Sequence, residues 1–104
     1  MPVPIIDLPT AQRPRERLCA LGPQALSDGE LLALLLGQGR PGESAVELAL
    51  ALLTEYGGVC GLASARPVEL RRRPGVGGAN ATAIAAAFQL AARARAGAEA
   101  PAPL

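Results

Sequence analysis

The stretch Pro74-Gly75-Val76-Gly77-Gly78 sets three glycines between an apolar-and-basic run, residues 68–73, and a long Ala-rich run, residues 79–96. Glycine accepts positive φ and lets the backbone come close to a ligand, because no Cβ stands in the way. The N–H groups in the first turn of the following helix have no intrahelical acceptor, and the helix dipole adds partial positive charge at the same place. The chemistry this suits is capture of a phosphate by main-chain amides. Gly75, Gly77 and Gly78 are the candidate ligands, with the Asn80 amide side chain as a further donor. Arg71, Arg72 and Arg73 lead directly into the turn, so some of them can reach flanking phosphates. The competing reading is structural: two helices that meet sharply need glycine between them, and arginines near a helix C-terminus are favoured by the dipole.

Val76, between the glycines, is expected to turn inward and pin the turn to the helices. Downstream, Ala81, Ile84, Ala85, Phe88 and Ala92 form one apolar stripe at helical period, with small residues near the turn where two helices approach. The pattern Pro-Gly-Val-Gly, small, Ala, then Ile resembles the helix-hairpin-helix motif, which holds one DNA backbone phosphate by main-chain amides without reading sequence. The hairpin is placed at residues 67–95.

Composition bounds what surrounds the turn. A chain of 104 residues is one domain. No run of 18 apolar residues occurs and the start, Met1-Pro2-Val3-Pro4, has no basic region. The expectation is a soluble, cytoplasmic protein with no membrane partner. Half of the residues are apolar, but 22 are Ala, with one Phe, one Tyr and no Trp, so the core is thin. With no His, imidazole catalysis and His-based metal sites are excluded; no cofactor and no metal are expected. Cys19 and Cys60 lie outside any metal-ligand spacing and are expected to be reduced. Net charge is only +1, yet residues 28–55 carry five acids against Arg40, while residues 61–96 carry six Arg against Glu69. The basic end is the end with the glycine turn.

Around this turn the chain reads as all-α, a small bundle of about five helices. Residues 1–12 form an extended lead, from which Ile5, Ile6 and Leu8 are expected to pack on the domain. A first helix opens at Pro14 and ends before Gly22-Pro23, with Leu18 and Leu21 inward and Arg13, Arg15 and Arg17 on a solvated face. Ser27-Asp28-Gly29-Glu30 is a capping box that opens a helix over 28–36, apolar nearly all round and hence central, ended by Gly37. Ser44-Ala45-Val46-Glu47 is a second capping box, opening a helix that runs to Tyr56 and closes at Gly57-Gly58. Residues 59–64 read as a turn. Pro67 starts the first hairpin helix, where Arg66 is a poor N-cap. The last helix runs from Gly78 or Ala79 to about Ala96, followed by an Ala/Pro tail over 97–104. A faint internal repeat relates Glu30-Leu31, Gly37-x-Gly39 and Ala45 to Glu69-Leu70, Gly75-x-Gly77 and Ala81, as two pseudo-symmetric helical halves would.

The stretch Arg13-Pro14-Arg15-Glu16-Arg17-Leu18, then Leu21-Gly22-Pro23 with Ala25-Leu26-Ser27-Asp28-x-Glu30 and the leucine run through Gly37, resembles the N-terminal domain of the bacterial RadC family, also known as UPF0758. The likeness extends from Pro9 to Arg95. It implies an all-helical module with a helix-hairpin-helix turn, conventionally labelled DNA repair, preceding a JAB/MPN-type metal-binding domain with a His-x-His and Asp signature. None of that signature is present here. The family and many DNA-binding hairpins also tend to carry Lys where this chain has Asn80; an amide brings no charge, so weaker binding and a shallower salt dependence are implied.

Three functions follow as expectations. The first is a non-catalytic module that binds the DNA backbone weakly through Gly75, Gly77, Gly78 and Asn80, helped by Arg71, Arg72 and Arg73. The second is an interaction or regulatory module for a downstream JAB/MPN-type domain, with the glycine turn purely structural. The third is catalysis: the hairpin also resembles that of the base-excision glycosylases. Those that form a Schiff base need a Lys nucleophile, and this chain has none; an Asp about one helix beyond the hairpin is absent too. An enzyme is therefore not expected.

Overall fold

The computed structural model describes residues 13–37 and 42–99. Six α-helices and one 3-10 turn make up the described residues, with no strand among them. The all-α expectation holds. The N-terminal lead with Ile5, Ile6 and Leu8, the loop from Gln38 to Pro41 and the last five residues lie outside the described residues.

Helix α1 (Pro14–Leu21) carries Pro14 at its start, where a missing N–H costs nothing, and stops at Gly22 with φ 89°. A 3-10 turn (Pro23–Ala25) leads to α2 (Asp28–Leu36). Both capping boxes form as their spacing predicts. Ser27 Oγ accepts from Glu30 N–H while Glu30 accepts from Ser27 N–H; Ser44 and Glu47 do the same at the start of α3 (Ala45–Tyr56). At its other end α3 closes in a Schellman motif: Gly57, in the left-handed region, donates to Thr54 and Gly58 N–H donates to Leu53 O at 2.7 Å.

The segment after α3 departs from the sequence reading. Residues 59–63 form a short helix, α4 (Val59–Ala63), where a turn is expected. Gly61 permits it, since α4 folds so tightly on the end of α3 that a Cβ on Gly61 would fall 1.6 Å from the Tyr56 carbonyl oxygen. The hairpin follows: α5 (Pro67–Arg72), a turn, and α6 (Gly77–Glu99). Arg66 offers α5 no side-chain cap, as expected.

Helices α2 and α3 pack as one pair and α5 and α6 as another; α2 lies against α6, and α4 joins α3 to α6. One core runs through all of them. Leu52, Leu62, Leu70 and Ile84 are the large side chains fully buried, and Ala33, Ala45, Ala49 and Ala81 fill the closest approaches. That is the thin, Leu/Ala core that the composition implies. Helix α2 is less central than its composition suggests: Leu32, Ala33 and Leu36 are buried but Leu35 is exposed, because α3 contributes the more deeply buried face.

Two readings of α1 are corrected. Leu21 is exposed rather than inward, and Leu18 is only half-buried, since α1 is short and lies at the edge of the bundle. Arg17 is not simply solvated: it pairs with Glu30 and donates to the Ala25 carbonyl at 3.0 Å. Glu30 therefore caps α2 with one carboxylate oxygen and holds α1 with the other. Cys19 and Cys60 are free and exposed.

Candidate phosphate-binding hairpin

The hairpin is built from its buried residues outward. Leu70, fully buried, fixes α5 against the core, and α5 ends at Arg73, whose ψ of 125° leaves the helical region. Arg73, Pro74, Gly75 and Val76 then form a type II turn: Pro74 supplies the second position, Gly75 takes φ 94° at the third, and Val76 N–H donates to Arg73 O at 3.1 Å. Val76, 3% exposed, enters the core beside Leu70, Ala81 and Ile84. This anchors the tip as its apolar side chain predicts.

Beyond Val76 the backbone turns outward. Gly77 has φ 69°, and both Gly77 and Gly78 are exposed, with open space where a Cβ on Gly77 would sit. These two residues and Ala79, also exposed, form the first turn of α6, whose N–H groups have no acceptor within the helix. Among the described residues no side chain caps them; Thr82, one turn on, bonds instead to the Gly78 carbonyl at 2.8 Å. Asn80 is half-buried in the same turn.

The three arginines separate. Arg71 and Arg72 occupy the exposed last turn of α5, and Arg71 Nε lies 3.8 Å from the position of a Cβ on Gly78, so its charge stands beside the start of α6. Arg73 instead folds its guanidinium back onto α3. Nη2 donates to Glu55 Oε2 at 2.9 Å, Nε lies 3.3 to 3.4 Å from both carboxylate oxygens, and Nη1 is 3.7 Å from Glu43 Oε1. Arg73 holds the Glu55 carboxyl below its ordinary range, first by hydrogen bonding, and the carboxylates in turn raise the pKa of Arg73. This pairing was invisible in the sequence, where residues 28–55 and 61–96 read as separate acidic and basic halves.

The apolar stripe of α6 is also shorter than its period suggests. Ala81 and Ile84 are buried, Ala85 and Phe88 half-buried, but Ala92 is exposed, since the bundle ends before it. Helix α6 nevertheless continues to Glu99, beyond the expected end near Ala96 and through Gly97, as alanine's high helix propensity allows. A cleft of about 340 Å³ opens between α4, α5 and α6, floored by Leu62, Leu70 and Ile84 with Phe88 at its side. A larger cleft of about 460 Å³, lined by Arg13, Arg15 and Glu16 among others, shares no residue with the hairpin. Among the described residues no group of three or more Cys, Asp or Glu is placed to hold a metal ion, and no helix is long and apolar enough to cross a membrane.

Comparison with known proteins extends these observations. Residues 5–82 match the family model described as UPF0758 N-terminal. The chain is similar to a UPF0758 protein of Carboxydothermus hydrogenoformans, 51% identical over 80 residues, covering 77% of this chain and 35% of that protein. A UPF0758 protein of Leptothrix cholodnii is 50% identical over 78 residues, 75% of this chain and 35% of the relative. One from Halorhodospira halophila is 55% identical over 71 residues, 68% and 32% respectively. The matched stretch thus spans about a third of the length of these relatives. No solved structure matches.

Proposed function

The chain belongs to the UPF0758 family, through that family's N-terminal domain, and from this premise we propose that it is a non-catalytic module that binds the backbone of DNA without reading sequence. One observation carries the reading: Gly77 and Gly78 are exposed in the first turn of α6, where no described side chain caps their N–H groups, on a tip anchored by buried Val76. Amides so placed suit a phosphate oxygen. Gly75 shapes the turn, Asn80 lies in the same first turn of α6, and Arg71 and Arg72 add charge. With one such turn and no lysine beside it, the Kd for duplex DNA at physiological salt is on the order of 10⁻⁴ to 10⁻⁶ M.

The test is binding to labelled duplex and single-stranded DNA across a salt series, with Gly78→Glu as the probe. Gly78 carries no positive φ and the nearest atom to its Cβ position is Arg71 Nε, so the substitution is sterically mild. An acid in the first turn favours the helix, while its carboxylate repels a phosphate. A parent that binds with a negative salt slope and a folded variant that does not would support the backbone clamp. Equal binding by both, or by neither at any salt, sinks it.

The cleft floored by Leu62, Leu70 and Ile84 favours a second reading, docking of a partner domain such as a downstream JAB/MPN-type domain. Binding of a separately produced downstream domain that is lost on Phe88→Glu, with DNA binding absent, would select it.

A further inference from the structure

Arg73 sits where it can govern the turn itself. Type I and type II turns differ by rotation of the central peptide, here the one joining Pro74 to Gly75. The carbonyl of that peptide accepts a hydrogen bond from Arg73 Nη1, and the same guanidinium is anchored by Glu55 of α3 and, at longer range, by Glu43, which precedes α3. All described peptide bonds are trans, so the Gly75 N–H points opposite to the Pro74 carbonyl, and whatever holds one aims the other. Arg71 and Arg72, by contrast, form no ion pair among the described residues.

We propose that Arg73 is a positioning residue: clamped by Glu55, it holds the Pro74–Gly75 peptide in the type II orientation and so sets the direction of the Gly75 N–H and the course of the turn into Gly77 and Gly78, the proposed phosphate ligands, without contacting the phosphate. The consequence for DNA rests on the function proposed above; the consequence for the turn does not. Glu55→Gln separates the alternatives by sign. Removing an acid close to an anion site tightens binding if only the field matters, whereas loosening the clamp weakens it.

The experiment has two arms on the folded full chain. In the first, nitrogen-15 NMR without DNA follows the Gly75 amide in the parent, Glu55→Gln and Arg73→Gln, with α2 and α3 resonances as the folding control. Both variants are expected to broaden or double the Gly75 resonance while α2 and α3 stay sharp. An unchanged Gly75 in both overturns the proposal, whatever the DNA result. In the second, Glu55→Gln is expected to bind duplex DNA severalfold more weakly with an unchanged salt slope. Tighter or equal binding by Glu55→Gln overturns the proposal, as does a slope reduced by about 0.9 in Arg73→Gln, which marks a lost phosphate contact. If the parent itself does not bind DNA, the proposed function fails and the Gly75 resonance alone decides the role of Arg73.

Discussion

The Cβ position of Gly61 lies 1.6 Å from the carbonyl oxygen of Tyr56, closer than any side chain can be accommodated. Backbone atoms of α3 and α4 meet there, so nothing can rotate away. A similar position at Gly29 meets the Leu50 Cδ2 atom at 2.8 Å, but that is the end of a flexible, exposed side chain. Gly61→Ala should therefore destabilise by about 2–3 kcal/mol or more through overpacking. Gly29→Ala should be close to neutral, since alanine's gain of about 1 kcal/mol in helix propensity offsets the displacement of Leu50. Urea melts of the two variants check this, and equal tolerance would mean that α4 does not pack on α3 as described.

Glu30 and Glu47 occupy equivalent capping positions, but among the described residues only Glu30 also holds an arginine from another helix. Replacing Ser27 or Ser44 by Ala should cost about 1 kcal/mol each. Glu30→Ala should cost more than Glu47→Ala, because Arg17 and the attachment of α1 are lost with it. Thermal melts of the four single variants test the ordering; Glu47→Ala equal to Glu30→Ala would leave the Arg17 contact without a role in stability.

The acid limb of stability follows from Glu30 and Glu55. Glu30 is held below its ordinary carboxyl range, first by the Ser27 N–H, with Arg17 adding to it, and Glu55 by Arg73. A depressed folded pKa means that the stabilisation is present above the unfolded value, near 4.5, and is lost as pH falls through the folded one. Stability should be flat from neutral pH down to about 5 and fall below about 4.5. Glu30→Gln should flatten that fall; denaturant melts at several pH values between 7 and 3 read it out, and an identical pH profile in the variant would contradict the assignment.

Arg71 and Arg72 are the exposed cations in the last turn of α5. Under the DNA-backbone reading, Arg71→Gln should lower the slope of log affinity against log salt by roughly 0.9, with folding unchanged. Arg66→Gln, on a residue that precedes α5 and plays no part in the turn, should move the slope less. Equal effects from the two substitutions would point to a diffuse field rather than a contact at the start of α6.

The elements whose determinants are local were legible in the sequence. The two Ser-x-x-Glu boxes, the glycine stops at Gly37 and Gly57, Pro14 and Pro67 at helix starts, and the inward Val76 all act within a few residues of chain, and each lies where its spacing places it. The glycine turn itself was readable for the same reason: positive φ at Gly75 and Gly77 is a property of the residue type. What spacing cannot carry is the meeting of distant segments. That Arg17 reaches Glu30, that Arg73 turns away from solvent to Glu55, and that Gly61 is wedged on Tyr56 all depend on how the helix pairs are placed relative to one another. The exposure of Leu21 and Ala92 has the same origin, since amphipathic period says which face could be buried, and only the extent of the neighbouring helices says how much of it is. Sequence determined the helices and the anion-suited turn between the last two; tertiary structure decided which arginines remain free to face an anion.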